Sequence, residues 1–219
     1  SNGELFVKRS FDSLISDVLL AYPDHHYILY ITGKTNFRNE VAVTAPYKGN
    51  RKAEKPLMLS VVRDYAVQYW DAVLVEGEEA DDAIAIAAST TFLNHDPIMV
   101  SIDKDFDQVA GKHYNFLKRE EYFISAEQGM KNFYKQFLTG DAIDNIIGVE
   151  GIGAGGASEL IDNSRKETDM WDICEDQLGY DRALENARLL WLRRRAGEMS
   201  LPPLERGEIQ DKVYAKIVS

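Results

Sequence analysis

The sequence holds a single cysteine, Cys174, four histidines, and no apolar run approaching the roughly 20 residues that a membrane-spanning helix needs. One cysteine excludes a disulfide framework and fits a reducing compartment. No His/Cys pair stands at zinc-ligand spacing, and no basic-then-apolar leader opens the chain. Cations are also in deficit: 25 Lys and Arg against 36 Asp and Glu leave a formal charge of −11 over 219 residues. Such a chain is a poor partner for phosphate backbones unless its cations are gathered locally. The expectation is a protein without membrane contact. With 45% hydrophobic and 28% charged residues, disorder is excluded. The length allows one large domain or a domain with a second lobe.

Periodicity supplies the elements. Phe11, Leu14, Ile15, Val18 and Leu19 recur at helical spacing and predict an amphipathic helix over 5–21. The apolar run from Tyr27 to Ile31 predicts a buried strand. Residues 32–55 are polar, with Gly33, Pro46, Gly49 and four cations between Lys48 and Lys55, and read as a functional loop. Pro56 is expected to open a helix carrying Val61, Val62, Tyr65, Ala66 and Tyr69. Strands at Ala72 to Val75 and Ile98 to Ser101 then alternate with a helix over 79–93 and a short turn near 105–110. Further strand candidates run from Tyr114 to Leu117 and Tyr122 to Ile124. Ser125 and Gln128 form a capping box for a helix to about Leu138. This alternation predicts an α/β core over 1–139 with a parallel sheet. A helical lobe follows over 140–219, with a helix over 183–195 ending on Arg193, Arg194 and Arg195.

Acidic residues cluster where parallel sheets bind ligands, beyond the carboxyl ends of strands. Glu78, Glu79, Asp81 and Asp82 follow the first of the two alternating strands, and Asp103 and Asp105 follow the second. Asp141 and Asp144 open the lobe, spaced so that one helical turn would put both on one face. Taken singly, each cluster also reads as an acid-rich helix start or a solvated turn. Converging carboxylates repel one another by about 4 kcal/mol per pair at 4 Å and an effective dielectric of 20. Hard cations such as Mg²⁺ or Mn²⁺ remove that cost, and two of them suit phosphodiester hydrolysis.

Two further segments suit a phosphate. Gly148, Gly151, Gly153, Gly155 and Gly156 crowd a turn between helical segments, where glycine permits close approach of a backbone. Free N–H groups at the next helix start suit an anion. The turn lacks the Gly-Lys-Ser/Thr ending of a P-loop. Tyr47-Lys48-Gly49-Asn50-Arg51-Lys52, with Arg38 upstream, is a basic run in which Lys48 and Arg51 suit a phosphate beside the metals.

These motifs together resemble the structure-specific 5′ nucleases: flap endonucleases, the 5′ nuclease domain of bacterial DNA polymerase I, and phage 5′–3′ exonucleases. The resemblance rests on Gly77-x-Glu79-Ala80-Asp81-Asp82, Ser101-x-Asp103-x-Asp105, and the run Gly140-Asp141-x-x-Asp144-Asn145-x-x-Gly148-Val149-x-Gly151-Ile152-Gly153. Phe37-Arg38 and Tyr47 to Arg51 resemble the stretch entering that family's helical arch. It covers about Tyr27 to Ile161. It implies a PIN-like (Rossmann-like) parallel-sheet core, a basic arch segment near 33–56, and a helix–three-turn–helix in the lobe. By resemblance, Glu79, Asp81, Asp103 and Asp105 serve a first metal with Asp82 in support. Asp141 and Asp144 serve a second, and Lys48 and Arg51 steer the scissile phosphate. Arg38 and Lys52 bind DNA, as does the turn of Gly148, Gly151, Gly153 and Gly155, where backbone carbonyls take K⁺. The expected partner is DNA with 5′ ends, flaps or duplex, in a bacterial or phage-infected cytoplasm; oligomeric state is not readable.

The chain also departs from the pattern. The family begins with a central strand bearing an Asp ligand, whereas no such strand precedes Tyr27 here, and Gly33 stands where relatives often carry another acid. The first departure implies impaired cleavage. It also keeps open a second reading, a non-catalytic DNA-junction-binding protein with a degenerate site. A third, a metal phosphohydrolase of small substrates, is disfavoured by the glycine turn and the basic loop.

Overall fold

A computed structural model describes residues 2–52, 54–203, 205 and 206. The described chain divides into two compact units. One comprises residues up to Asn36 and Lys52–Ile84; the other comprises Phe37–Arg51 and the residues from Ala85 onward.

In the first unit, the apolar spacing expected from residue 5 forms a helix, α1, over Asn2–Ala21. Strand β1, Tyr30–Asn36, pairs in parallel with β2, Val73–Gly77, with Tyr30 opposite Val73 and Thr32 opposite Val75. The strand expected at Tyr27 thus lies three residues later, because pairing with β2, rather than local hydropathy, sets its limits. A short helix, α2, spans Arg38–Val41 and belongs to the second unit. Helix α3, Leu59–Tyr69, starts after Pro56 rather than at it, with Leu59 N–H bonded to the Pro56 carbonyl. Asp12 of α1 accepts from Tyr65 Oη at 2.9 Å and Trp70 Nε1 at 2.8 Å, while Phe11 meets both rings edge-on. The helix expected over 79–93 is interrupted: α4 spans Ala80–Ile86 and continues as a π-helical turn over Ala87–Thr91. Thr90 Oγ1 donates back to the Ile86 carbonyl at 2.8 Å, the kind of bond that opens a helix.

In the second unit, β3 (Ile98–Val100) pairs in parallel with β4 (Gly111–Asn115), and β5 (Glu120–Ile124) returns antiparallel beside β4. Helix α5, Ala126–Thr139, begins with the expected capping box: Ser125 Oγ accepts from Gln128 N at 3.1 Å and Gln128 Oε1 accepts from Ser125 N at 3.0 Å. Its Phe133, Tyr134, Phe137 and Leu138 are buried in one core with residues of three further helices: α6 (Ala154–Ile161), α7 (Glu167–Leu178) and α8 (Tyr180–Leu190). Trp171 and Cys174 are core residues here.

Because α5 supplies the centre of that core, residues 85–139 group with the helical lobe, and the compact units do not divide at 139/140. The expected lobe also runs to 219, and 207–219 lie outside the described residues. Helix α8 ends at Leu190, so Arg193, Arg194 and Arg195 lie beyond it. It stops because side chains from distant segments take its final carbonyls: Gln108 Nε2 bonds Leu190 O, and Arg38 bonds Leu189 O and Trp191 O. No helix among the described residues is long and apolar enough to cross a membrane.

Candidate functional site

The first unit presents Glu79, Asp81 and Asp82 where β2 turns into α4. Gly77 makes the turn at φ +83°, a conformation that favours glycine. Asp82 is fully buried, and its Oδ2 accepts from Glu79 N at 3.1 Å, closing the first turn of α4. Glu79 is buried as well, and Asp81 lies in the same turn, half-buried.

Three groups on and beside β1 hold this turn. Thr32 Oγ1 accepts from Ala80 N at 2.9 Å, capping the helix. Thr35 Oγ1 accepts from Gly77 N at 2.8 Å and donates to Glu76 Oε2 at 2.8 Å. Glu76 Oε2 also accepts from the backbone of Lys34 and Thr35, and these bonds hold its carboxyl below the usual range. A Cβ at Gly33 would collide with the Val75 carbonyl and the Glu76 carboxyl, so the clasp requires glycine there. Sequence reasoning missed Thr32, Thr35 and Glu76. Their partners in the 76–80 turn lie some 40 residues away, and no local pattern marks them.

In the second unit, Asp103 caps the 3₁₀ turn Lys104–Gln108, its Oδ1 accepting from Asp105 N at 3.0 Å. Asp105 turns inward and accepts from Gln136 Nε2 of α5 at 2.7 Å. Burial, with the neighbouring Asp103 and Asp141 carboxylates adding to it, pushes its pKa up to about 6 against the Gln136 bond. Asp105 thus senses the charge of a neighbour in its own turn and of Asp141, which the sequence places in a separate cluster.

Asp141 and Asp144 do not share a helical turn. Gly140–Asp141 is a two-residue strand, β6, paired antiparallel with β7, Ile146–Ile147, and Asp144 lies in the turn between them. Asp141 Oδ1 accepts from Ile143 N at 2.8 Å and Asp144 N at 3.1 Å, an Asx-type arrangement that replaces the helix. Gly148 explains the difference. It lies so close to Leu138 and Thr139 that a Cβ would strike their backbone, which draws the chain back along α5's end.

The basic run settles on this turn. Tyr47 Oη donates to Asp144 Oδ2 at 2.8 Å, Arg51 Nη2 lies 2.7 Å from Oδ1, and Lys48 Nζ lies 3.6 Å from Oδ2. Lys48 N bonds the Asp144 carbonyl, and Asn50 Nδ2 bonds the Ala142 carbonyl. Lys104 Nζ approaches Asp141 Oδ2 at 3.6 Å.

Arg38, expected to bind DNA, is 1% exposed, and its guanidinium caps α8, so it is unavailable to a phosphate. Lys52 is exposed on the first unit. In the glycine turn, Gly151 adopts φ +80°, Gly153 is the N-cap of α6, and both Gly153 and Gly155 face open space.

The donor set is oxygen alone, which suits a hard divalent cation. The burial of Asp105, with the neighbouring charges of Asp103 and Asp141, is the electrostatic condition a cation would relieve. Among the described residues, no three Asp, Glu, His or Cys side chains are gathered closely enough to hold a metal as they stand. In the second unit, Asp141 and Asp144 are turned onto Lys104, Lys48 and Arg51 instead.

No family model matches the chain. Among curated proteins, it is 30% identical over 180 residues to flap endonuclease Xni of Shewanella piezotolerans, covering 74% of this chain and 67% of that protein. It is 29% identical over 163 residues to DNA polymerase I of Bacillus caldotenax, covering 64% of this chain but 18% of the polymerase. Among solved structures, a T5 protein co-crystallised with metal ions superposes with a TM-score of 0.65 at 22% identity, over 82% of this chain and 79% of that one. A bacteriophage T5 flap endonuclease complex with DNA and metal ions gives 0.62 at 22% identity, over 82% and 78%. The fold is therefore the PIN-like α/β fold expected from the sequence. With the similarity to flap endonuclease Xni spanning most of both proteins, the chain belongs to the structure-specific 5′ nuclease family.

Proposed function

We propose that this chain is a divalent-metal-dependent nuclease that hydrolyses phosphodiester bonds at DNA 5′ ends or flaps, as a 5′–3′ exonuclease or flap endonuclease. The observation that carries this reading is the cluster of Asp103, Asp105 and Asp141, in which burial first, and then the charges of its two neighbours, raise Asp105, in a member of this family. Further support comes from the T5 flap endonuclease, solved in complex with DNA and metal ions.

The proposed ligands of Mg²⁺ or Mn²⁺ are Glu79 and Asp81, with Asp82 in support, on the first unit, and Asp103, Asp105, Asp141 and Asp144 on the second. When bound, the ions supply Lewis acidity and a water acidic enough to attack phosphorus. Gln136 orients Asp105, and Asp103 shapes the turn that presents it. Lys48 and Arg51 neutralise the non-bridging oxygens of the phosphate. Lys52 and the backbone of the turn at Gly148, Gly151, Gly153 and Gly155 grip the duplex without reading bases, and the turn's carbonyls suit K⁺.

Cleavage of a 5′-labelled flap in Mg²⁺ or Mn²⁺, against EDTA and an Asp103→Asn/Asp105→Asn variant, tests the reading. Metal-dependent cutting that the variant loses supports it. One observation favours a second reading, a DNA-junction-binding protein with a degenerate site: the carboxylates are not gathered as a ready metal cage. Tight flap binding with no cutting in either metal would select that alternative.

A further inference from the structure

Asp144 is the point on which residues 47–51 converge. Its carboxylate is 15% exposed, and it holds Tyr47 Oη, Arg51 Nη2 and Lys48 Nζ at once. Lys48 and Arg51 are the cations proposed above to meet a phosphate, and here they are engaged by an acid of the same site. We propose that cation binding and phosphate binding are coupled through Asp144. Lys48 and Arg51 remain on its carboxylate until a divalent cation replaces them, and that replacement frees them for a DNA phosphate.

The inference rests on the nuclease reading and adds to it how the site is controlled. Drawing both cations away would leave a largely buried carboxylate beside Asp141 with no counter-charge, which is strongly unfavourable. A phosphate placed on Lys48 and Arg51 would add negative charge at the same point. A divalent cation at Asp144 removes both penalties. Each ligand therefore raises the affinity for the other, by the same factor, as linkage requires.

The loop is built for exchange of side chains without movement of its backbone. Lys48 N on Asp144 O, Gly49 N on Pro46 O, Asn50 on Ala142 O and Asn145 on Pro46 O fasten the main chain. Arg51, by contrast, is half exposed and can swing outward. Tyr47 carries no charge to release, so it stays on Oδ2 as a positioning residue that keeps Asp144 oriented.

The test measures binding to the full chain of a fluorescent, phosphorothioate-backbone single strand bearing a 5′ phosphate, in EDTA and in Mg²⁺ at matched ionic strength. Calorimetry with Mg²⁺ alone runs alongside. Coupling predicts that Mg²⁺ tightens probe binding about 10-fold. Asp144→Asn is expected to bind the probe in EDTA nearly as tightly as the Mg²⁺-loaded parent does, and to lose the Mg²⁺ response. Asp103→Asn removes the same charge without touching Lys48 or Arg51, so in EDTA it should bind the probe less tightly than Asp144→Asn does. The guanidinium ¹⁵N signals of Arg51 should shift when Mg²⁺ is added without probe, a readout that survives if Asp144→Asn fails to fold. Mg²⁺ and probe that bind independently, or equal gains from the two Asn variants, would overturn the coupling and leave the nuclease reading standing. A parent chain that binds no Mg²⁺ in calorimetry would overturn both.

Discussion

Arg38 Nε donates to the Leu189 carbonyl at 2.7 Å, joining residues 151 positions apart. With Nη2 on Trp191 O, the guanidinium closes the end of α8 and carries the segment after β1 onto the helical core. A residue that reads in the sequence as a phosphate ligand is therefore a structural fastener.

This makes Arg38 the first prediction. Arg38→Ala leaves buried carbonyls unpaired and should destabilise the chain by about 3 kcal/mol in urea denaturation. Arg38→Lys should recover only part of that, since one ammonium cannot reproduce the fork on two carbonyls. DNA affinity per folded molecule should stay unchanged in both variants.

The clasp on the Glu79–Asp82 turn gives the second. Thr32→Val removes the cap on Ala80 N and should cost about 1 kcal/mol. It should also weaken Mn²⁺ binding measured by calorimetry, while Thr32→Ser retains both properties. Gly33→Ala should be far more damaging than either, because its methyl meets the backbone carbonyl of Val75, which cannot swing aside, as well as the Glu76 carboxyl. Equal stability of Gly33→Ala and the parent would show that the clasp does not hold β1 to β2.

Asp105 makes the third, through pH. Its carboxyl is raised from 3.8 to about 6 by burial and by Asp103 and Asp141, so the folded state holds this proton more tightly than the unfolded chain. Its contribution is fully present below pH 4 and is lost as the pH rises through about 6, by roughly 3 kcal/mol at most without metal. Denaturation of the metal-free chain and of Asp105→Asn across that window should differ by this slope. Mn²⁺ should remove the difference by stabilising the ionised carboxylate.

The glycine turn supplies the fourth. Gly148→Ala should destabilise the fold, since its Cβ would meet the backbone of Thr139 and Leu138. Gly155 lies inside α6 with nothing near its Cβ position, so Gly155→Ala should be neutral or stabilising by up to about 1 kcal/mol. If the turn grips duplex DNA, Gly155→Ala should nonetheless weaken duplex binding. Unchanged duplex affinity would remove Gly155 from the proposed interface.

Local features are legible in the linear chain. The Ser125/Gln128 box lies within one turn, and the spacing of Phe133, Tyr134, Phe137 and Leu138 states the buried face of α5 without reference to any other segment. The acids after β2 and β3, and the glycines before α6, announce themselves because short-range chemistry explains why they stand together. Packing of distant segments set the rest. It placed Asp141 and Asp144 on a hairpin turn instead of a helix, because Gly148 packs against the backbone of residues 138 and 139. It buried Arg38 against α8 and brought Lys48 and Arg51 to Asp144 across more than 90 residues of chain. It recruited Thr32, Thr35 and Glu76, three unremarkable residues in a linear reading, to hold the turn of Glu79 and Asp82. A hydrogen bond or ion pair between distant segments leaves no period in the sequence. It exists only once the hydrophobic faces that are written there have packed.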